Sequence, residues 1–335
     1  MFTLGVAAAA CVGKPALQGP MPVRNQHPAQ LTVQHMDPAS AQVLPAGATA
    51  ARLDSAYTSL FLSSPVGNSQ FLMDGEYLRT APRLRVGLGK GLEAGIELPF
   101  AHSSGGFLDS FVIGYHDTLG LPEQTRRLVP RDRFSVKAQQ NGADVWSVDS
   151  SALQLLDVPL QLTYRVLPAG EGRLGATVRG GVELPTGDSA RGYGSGGIDS
   201  TLGAVLDYRA GGVGWYGHAQ HTFAGTPSRS RRAGFHFSDV TSAGVAVEVP
   251  LATDLHAFAQ VEWETSTLRE LHLAAVSRDQ VLLWLGGRLQ VGAGAAIELA
   301  IGEDLVWRIS PDFTLWLGLV WLPGSLAATP PPSSP

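Results

Sequence analysis

The chain has 335 residues, of which 44% are apolar and only 16% charged, and its formal net charge is −5. That charged fraction falls well below the ~25% of an average soluble domain, which leaves a membrane protein or an unusually apolar soluble one, and the acidic balance excludes nucleic acid as a partner. A single cysteine, Cys11, excludes a disulfide framework and a cysteine metal site, and no metal or cofactor motif is present elsewhere.

No uncharged apolar stretch of ~18 residues follows the N-terminus, so spanning helices are excluded and any passage through a bilayer must be by a closed barrel. In chain order, residues 1–19 are expected to be a signal peptide. Phe2 to Cys11 is short, apolar and rich in small residues, although the basic residues that normally precede such a run are missing, as in a truncated signal. Ala8-Ala9-Ala10-Cys11 also weakly resembles a lipoprotein cleavage box, which would make Cys11 a lipid anchor. Residues 20–46 are expected to form an N-terminal periplasmic or lumenal segment, residues 47–322 a transmembrane antiparallel β-barrel of about twelve strands, and the Pro/Ser-rich 323–335 a disordered tail.

Period-two alternation carries the barrel expectation. The predicted strands are 47–63, 69–88, 91–102, 150–166, 172–185, 196–210, 212–224, 237–250, 254–266, 278–290, 293–302 and 312–322. In the run from Leu255 to Glu264, Leu255, Ala257, Ala259, Val261 and Trp263 share one face, and His256, Gln260, Glu262 and Glu264 share the other with Phe258. A cation at the lipid-facing midplane costs about 2–4 kcal/mol whereas a lumen charge is cheap, so this segregation fits a barrel wall. Aromatics near strand ends (Trp215, Trp263, Trp307, Trp321, Tyr164, Tyr208) fit a membrane-interface girdle.

Connection lengths add to the case. Gly89 to Gly91, Leu167 to Glu171, Ala210 to Gly212, Leu251 to Asp254 and Val291-Gly292 are tight, and the connections between them are expected to be longer. Short periplasmic turns alternating with long outer loops is the layout of outer-membrane barrels. A phrase of small, apolar, Glu, apolar and Pro recurs at Gly95–Pro99, Gly181–Pro185 and Ala246–Pro250, and without the Pro at Ala296–Leu299. It would aim Glu97, Glu183, Glu248 and Glu298 into the lumen and its apolar flanks at lipid. Within 133–148, Phe134 to Ala138 and Asp144 to Val148 form a possible hairpin that would add two strands if it joined the wall.

Several pieces spread along the chain resemble a family of uncharacterised bacterial outer-membrane β-barrel proteins, known as a domain of unknown function. They are Arg24-Asn25-Gln26-His27-Pro28, Gly114-Tyr115-His116-Asp117, Leu128-Val129-Pro130, Glu183 to Gly187, Gly194 to Asp199, Gly302 to Leu305 and Ser310 to Phe313. The resemblance implies the fold and the outer membrane as location, and no reaction.

The long connection 103–149 holds the candidate functional residues. Phe107, Phe111, Tyr115 and Leu119 recur every four residues and predict a short amphipathic helix, either a plug or gate, or a cap over the mouth. Behind it, Arg126, Arg127, Arg131, Arg133 and Lys137 would meet lipopolysaccharide phosphates or select anionic solutes, or else pair with lumen carboxylates such as Glu97, Glu183, Glu248, Glu262, Glu264 and Glu298. The pairing reading is preferred, since a bore of about twelve strands is narrow. His116-Asp117 raises an enzyme alternative, a lipid-modifying enzyme with His116 as base. Adjacent helical side chains diverge by about 100°, however, and Ser103, Ser104 and Ser110 have no nucleophile-elbow context. His218 and His221 fall on opposite faces of one strand and form no metal pair, and Gly192 to Gly197 lacks the lysine and helix of a phosphate loop. The leading expectation is a narrow pore or small-solute transporter, or an envelope structural protein, in contact with outer-membrane lipid.

Overall fold

The computed structural model describes residues 17–108, 110, 113–114, 117–118, 132–292, 294–305, 311 and 313–322. Most of the expected signal peptide, the tail, Trp307, His116, Arg126, Arg127 and Arg131 lie outside the described residues. Sixteen strand segments form one sheet. They are β1 (Thr49–Val66), β2 (Ser69–Gly89), β3 (Leu92–Glu97), β4 (Phe100–Ser104), β5 (Ser135–Gln140), β6 (Ala143–Val148), β7 (Ser151–Leu155) and β8 (Val158–Leu167). The series continues with β9 (Leu174–Leu184), β10 (Asp199–Ala210), β11 (Val213–Phe223), β12 (Val240–Pro250), β13 (Leu255–Glu264), β14 (Gln280–Gly292), β15 (Ala295–Asp304) and β16 (Phe313–Trp321). A five-residue helix, α1 (Ser228–Arg232), sits in one loop, and the described residues of 110–118 are helical.

β1 pairs on one side with β2 and on the other with β16, so the sheet closes on itself. Because β3 and β4 follow one another up the wall, as do β7 and β8 down it, the sixteen segments make a closed antiparallel barrel of twelve staves with β5 and β6 outside the count. The predicted strands 91–102 and 150–166 are each broken near mid-wall, at Leu98-Pro99 and at Leu156-Asp157. Pro99 has no N–H to give a ladder, which accounts for the break on its strand. It therefore marks a mid-wall interruption and not the outer rim. The 133–148 hairpin exists as β5 and β6, turning at Asn141-Gly142 with both φ positive, and it pairs with the outer end of β2 from Gln70↔Gln139 to Asp74↔Ser135.

The alternation of turns holds at one end. Gly211-Gly212, with φ of 63° and 85°, suits the primed two-residue turn that matches strand twist. At the other end it fails once: β1 and β2 are joined through Gly67-Asn68 alone. These two strands continue past the rim as a long ribbon, so their connection is short although it stands on the loop side.

Side chains sort as the alternation requires. Leu162, Val178, Leu202, Leu206, Val245, Leu285, Leu299, Leu315 and Leu317 are exposed outward in an apolar belt, with Trp215, Trp321, Tyr164 and Tyr208 among them. Glu97, Glu183, Glu248, Glu262 and Glu298 are buried inward. Exposing such a belt to water is unfavourable by about 25 cal/mol per Å², and the closed ladder leaves no unpaired edge for lipid to meet. The protein is a transmembrane barrel.

Leu299→Arg places a cation in the lipid-facing belt of β15, and should lower unfolding stability in lipid vesicles by about 2–4 kcal/mol. Urea titration with heat-modifiable gel mobility as the readout checks this; an unchanged midpoint would mean that β15 does not face lipid there.

Candidate functional site

The lumen is filled mainly by the chain's own N-terminal segment. Residues 17–46 enter at the short-turn end, rise, turn through a 3-10 turn at Gln30–Thr32, and descend into β1. Most of the segment is buried. Apart from that turn it has no regular secondary structure, so its backbone groups need partners from elsewhere.

The wall supplies them. Glu248 accepts from the Gly19 N–H (3.1 Å), Asp199 from Gln34 (3.0 Å), Asp207 from Ala41 (3.2 Å) and Glu93 from Leu44 (2.9 Å). Gln260 pairs with Met21 at both backbone groups, accepting from its N–H (2.8 Å) and donating to its carbonyl (3.0 Å). Gln220 accepts from Met36 (3.1 Å). In the opposite sense Arg209 donates to the Leu17 carbonyl, Arg288 to Gly19, Thr222 to Gln34 and Arg179 to Asp37. The segment is thus hydrogen-bonded to the barrel at both ends and in the middle of each arm.

These contacts share residues with a belt of alternating charge. His256 meets Glu248 (2.6 Å), Glu248 meets Arg288 (3.1 Å), Arg288 meets Glu298 (2.5 Å) and Glu298 meets Arg52 (2.5 Å). Arg52 then meets Asp54 (2.7 Å), and Arg83 bridges Asp54 (3.3 Å), Glu97 (2.6 Å) and Asp37 of the segment (2.5 Å). Arg79 completes the row on Glu97. Each charge in this row finds an opposite neighbour, without which it would cost several kcal/mol.

Apolar contacts hold the segment as well. Met21 and Val23 pack with Ala56, Phe258, Leu282, Trp284, Ala300 and Trp316. Trp284 and Trp316 meet edge-on at 6.1 Å. Met21 reaches in over Gly286, where a Cβ would lie 2.6 Å from its methyl and still closer to the Leu299 carbonyl oxygen. At the loop end Ala29, Leu31 and Val33 of the segment's tip enter a larger core with Phe71, Trp146, Tyr193, Phe235 and Leu268 among others. This core covers the mouth. His27 lies at the same level, stacked on Phe71 at 5.6 Å, and its Nδ1 accepts from the Ala29 N–H (3.1 Å). Burial pushes its imidazole down to about 3, so the ring is neutral.

Between the two arms and the wall lies a cavity of about 510 Å³. Its lining runs from Thr253, Gly292, Gly294 and Leu322 at the short-turn end up to Gln34 and His35, and includes Arg52, Arg83, Arg85, Arg179 and Glu93. It stops below the turn of the segment and the core above it.

The sequence-predicted residues divide accordingly. Glu97 and Glu248 belong to the ionic belt, and Glu262 faces His218 at 3.1 Å. Glu183 stands directly across the ladder from Asp199, with one oxygen unpartnered among the described residues. Among the described residues, the lumen carboxylates pair with lumen arginines and with the N-terminal segment, and Arg126, Arg127 and Arg131 of the long-loop cluster lie outside those residues. Arg133, the described arginine of that cluster, is exposed, as is Asp117. Phe107 is 73% exposed, and Phe111, Tyr115 and Leu119 of the expected helix lie outside the described residues. The catalytic alternative rests on His116, outside the described residues. His221 faces outward and His218 inward, as their positions on β11 require. Among the described residues no cluster suited to a metal ion is present.

The segment-binding residues missed by sequence reasoning are Glu93, Gln220 and Gln260. The signal was available: Phe258, Trp284 and Trp316 are large apolar residues on an otherwise polar lumen face, which calls for an apolar partner inside.

A family model described as Protein of unknown function (DUF3187) matches residues 1–321. No curated protein matches the chain. Among solved structures, the fold is similar to that of the COG4313 outer membrane channel from Pseudomonas putida F1, at 13% identity and a TM-score of 0.55 over 86% of this chain and 100% of that one. Looser likenesses are the NanC porin (9% identity, 80% and 98% covered, TM-score 0.44) and the P. putida toluene transporter TodX (11% identity, 83% and 91% covered, TM-score 0.40). The first shows a shared barrel fold, and the looser two add nothing to it.

Gln260→Leu removes both hydrogen bonds to Met21 while leaving β13 intact, and should weaken docking of the N-terminal segment by about 1–3 kcal/mol. Limited proteolysis of the reconstituted protein should then cut within residues 17–46 faster than in the parent, at unchanged barrel mobility on gels. Equal cleavage rates would remove Gln260 from the docking set.

Proposed function

We propose that this chain, which belongs to the DUF3187 family and forms an outer-membrane barrel, is a channel for small polar solutes that its own N-terminal segment keeps closed. The observation that carries this reading is the kind of contact filling the lumen. A purely structural barrel of this width would be filled by wall side chains packed on one another. Here the wall instead offers hydrogen-bonding groups to a detachable, irregular segment, and a cavity of about 510 Å³ already runs beside it. Polar wall groups that release peptide N–H groups can be rehydrated, so the lumen tolerates an open state that an apolar core would not.

The tip of the segment couples the lumen to the mouth. Because Ala29, Leu31 and Val33 are part of the core at the loop end, withdrawing the segment also leaves a gap in that cover. On this reading the cavity opens to the periplasm at the short-turn end, where Thr253, Gly292 and Gly294 line it, and is closed beneath the outer surface. On this reading the protein catalyses no reaction, its apolar belt contacts outer-membrane lipid, and exposed loop cations such as Arg133 meet lipopolysaccharide phosphates.

Single-channel recording in planar bilayers tests the proposal. The full chain should show rare or very small steps, and a variant lacking 18–44 should show frequent, larger ones. A shortened variant that still migrates as a folded barrel and gives no steps would overturn the channel reading.

A further inference from the structure

The cavity is more than the space left beside the plug. Around it, guanidinium groups carry donors that no acceptor among the described residues takes. Arg83 meets Asp37 and Glu97 through Nη1 and Nε, and its Nη2 has no hydrogen-bond partner. Arg179, 7% exposed, donates through Nη1 and Nη2 to the Asp37 carbonyl and Gln161, and its Nε has none. Arg85 is the most open of the three. It makes one hydrogen bond, to Glu93 at 3.1 Å, and 35% of its side chain is exposed.

The backbone makes room in front of Arg85. Directly across the ladder from it stands Gly95, next to Gly95 stands Gln161, and beyond that Gly181, whose space the Gln34 side chain of the segment fills, so the room in front of Arg85 is at Gly95. A Cβ at Gly95 would meet only ordinary contacts, at 3.6 Å from Arg85, so sterics on the wall do not demand glycine there. The lining also carries apolar side chains, Pro20, Pro22, Pro38 and Val43 from the segment and Val320 from the wall.

We infer that this cavity is a binding site for a small organic monocarboxylate, with Arg85 as the principal contact to the carboxylate and the plug prolines against the ligand's apolar body. The planar fork of a guanidinium matches a carboxylate in two parallel hydrogen bonds. A dianion such as phosphate is disfavoured, because Glu93, Glu97 and Asp37 stand within the same lining. An uncharged ligand can accept from these donors but forms no charge-assisted pair, and a charge-assisted hydrogen bond is roughly twice as strong as a neutral one. The volume lies within the usual range for small-molecule pockets, about 300–1,000 Å³.

Isothermal titration of the full-length protein in detergent tests the site without voltage or transport, so a failure of the channel reading would leave the result meaningful. Benzoate should bind, and benzyl alcohol and inorganic phosphate should bind at least about tenfold more weakly. Arg85→Gln should weaken benzoate about tenfold and leave benzyl alcohol unchanged. Gly95→Leu, which fills the space in front of Arg85, should abolish benzoate binding at unchanged barrel mobility on gels; if that variant does not fold, the Arg85 variant decides. Benzoate bound no better than benzyl alcohol, phosphate bound as well as benzoate, or benzoate affinity unchanged in Arg85→Gln would each overturn the assignment.

Discussion

A peptide segment without helix or strand cannot sit in a narrow lumen unless something else satisfies its N–H and C=O groups. Water would do so in a wide pore; in this barrel the wall does it. Glu93, Asp199, Asp207, Glu248, Gln220 and Gln260 accept from six or more N–H groups along residues 17–46, and arginines and Thr222 return bonds to its carbonyls. The same carboxylates would repel one another in an empty lumen. The plug and the charged wall therefore stabilise each other, and neither is explained alone.

The ionic belt sets where this happens. Arg52, Arg83 and Arg288 each bridge carboxylates from different strands, so inward charges are fixed across the seam where β1 meets β16 and the barrel closes. Fixed acceptors give the segment one path. Met21 follows Gln260, Asp37 follows Arg83, and the apolar tip arrives under the loops where Phe71, Trp146 and Phe235 wait for it. On the β1 to β3 side the glycine at position 95 interrupts the filling, and the cavity results.

Much of the wall was legible in the sequence because a barrel strand reports its environment every second residue. Leu255 to Glu264 shows its two faces without reference to any other strand, and the recurrent Glu flanked by apolar residues places Glu97, Glu183, Glu248 and Glu298 correctly. Turn chemistry was equally local at Gly211-Gly212, and the Asn-Gly at 141–142 turns β5 into β6. The break at Asp157 was hidden because alternation runs through it, whereas Pro99 signalled its own by the missing N–H. Residues 20–46 are expected from the sequence to be a periplasmic or lumenal segment, but the path and contacts of the plug were not legible, for a different reason. Its partners lie far away in sequence, 239 residues for Met21 and Gln260 and 165 for Gln34 and Asp199, and the segment has no period of its own. The inward aromatics Phe258, Trp284 and Trp316 were the one local trace of it.

Amide hydrogen exchange on the reconstituted full-length protein tests most directly whether the wall holds the plug by its backbone. The N–H groups of Gly19, Met21, Gln34, Met36, Ala41 and Leu44 should exchange slowly, on the scale of the barrel's own strand amides, since releasing them requires breaking a bond to a wall side chain. Exchange of these six at the rate of an unstructured peptide, with the strand amides still protected, would contradict the account.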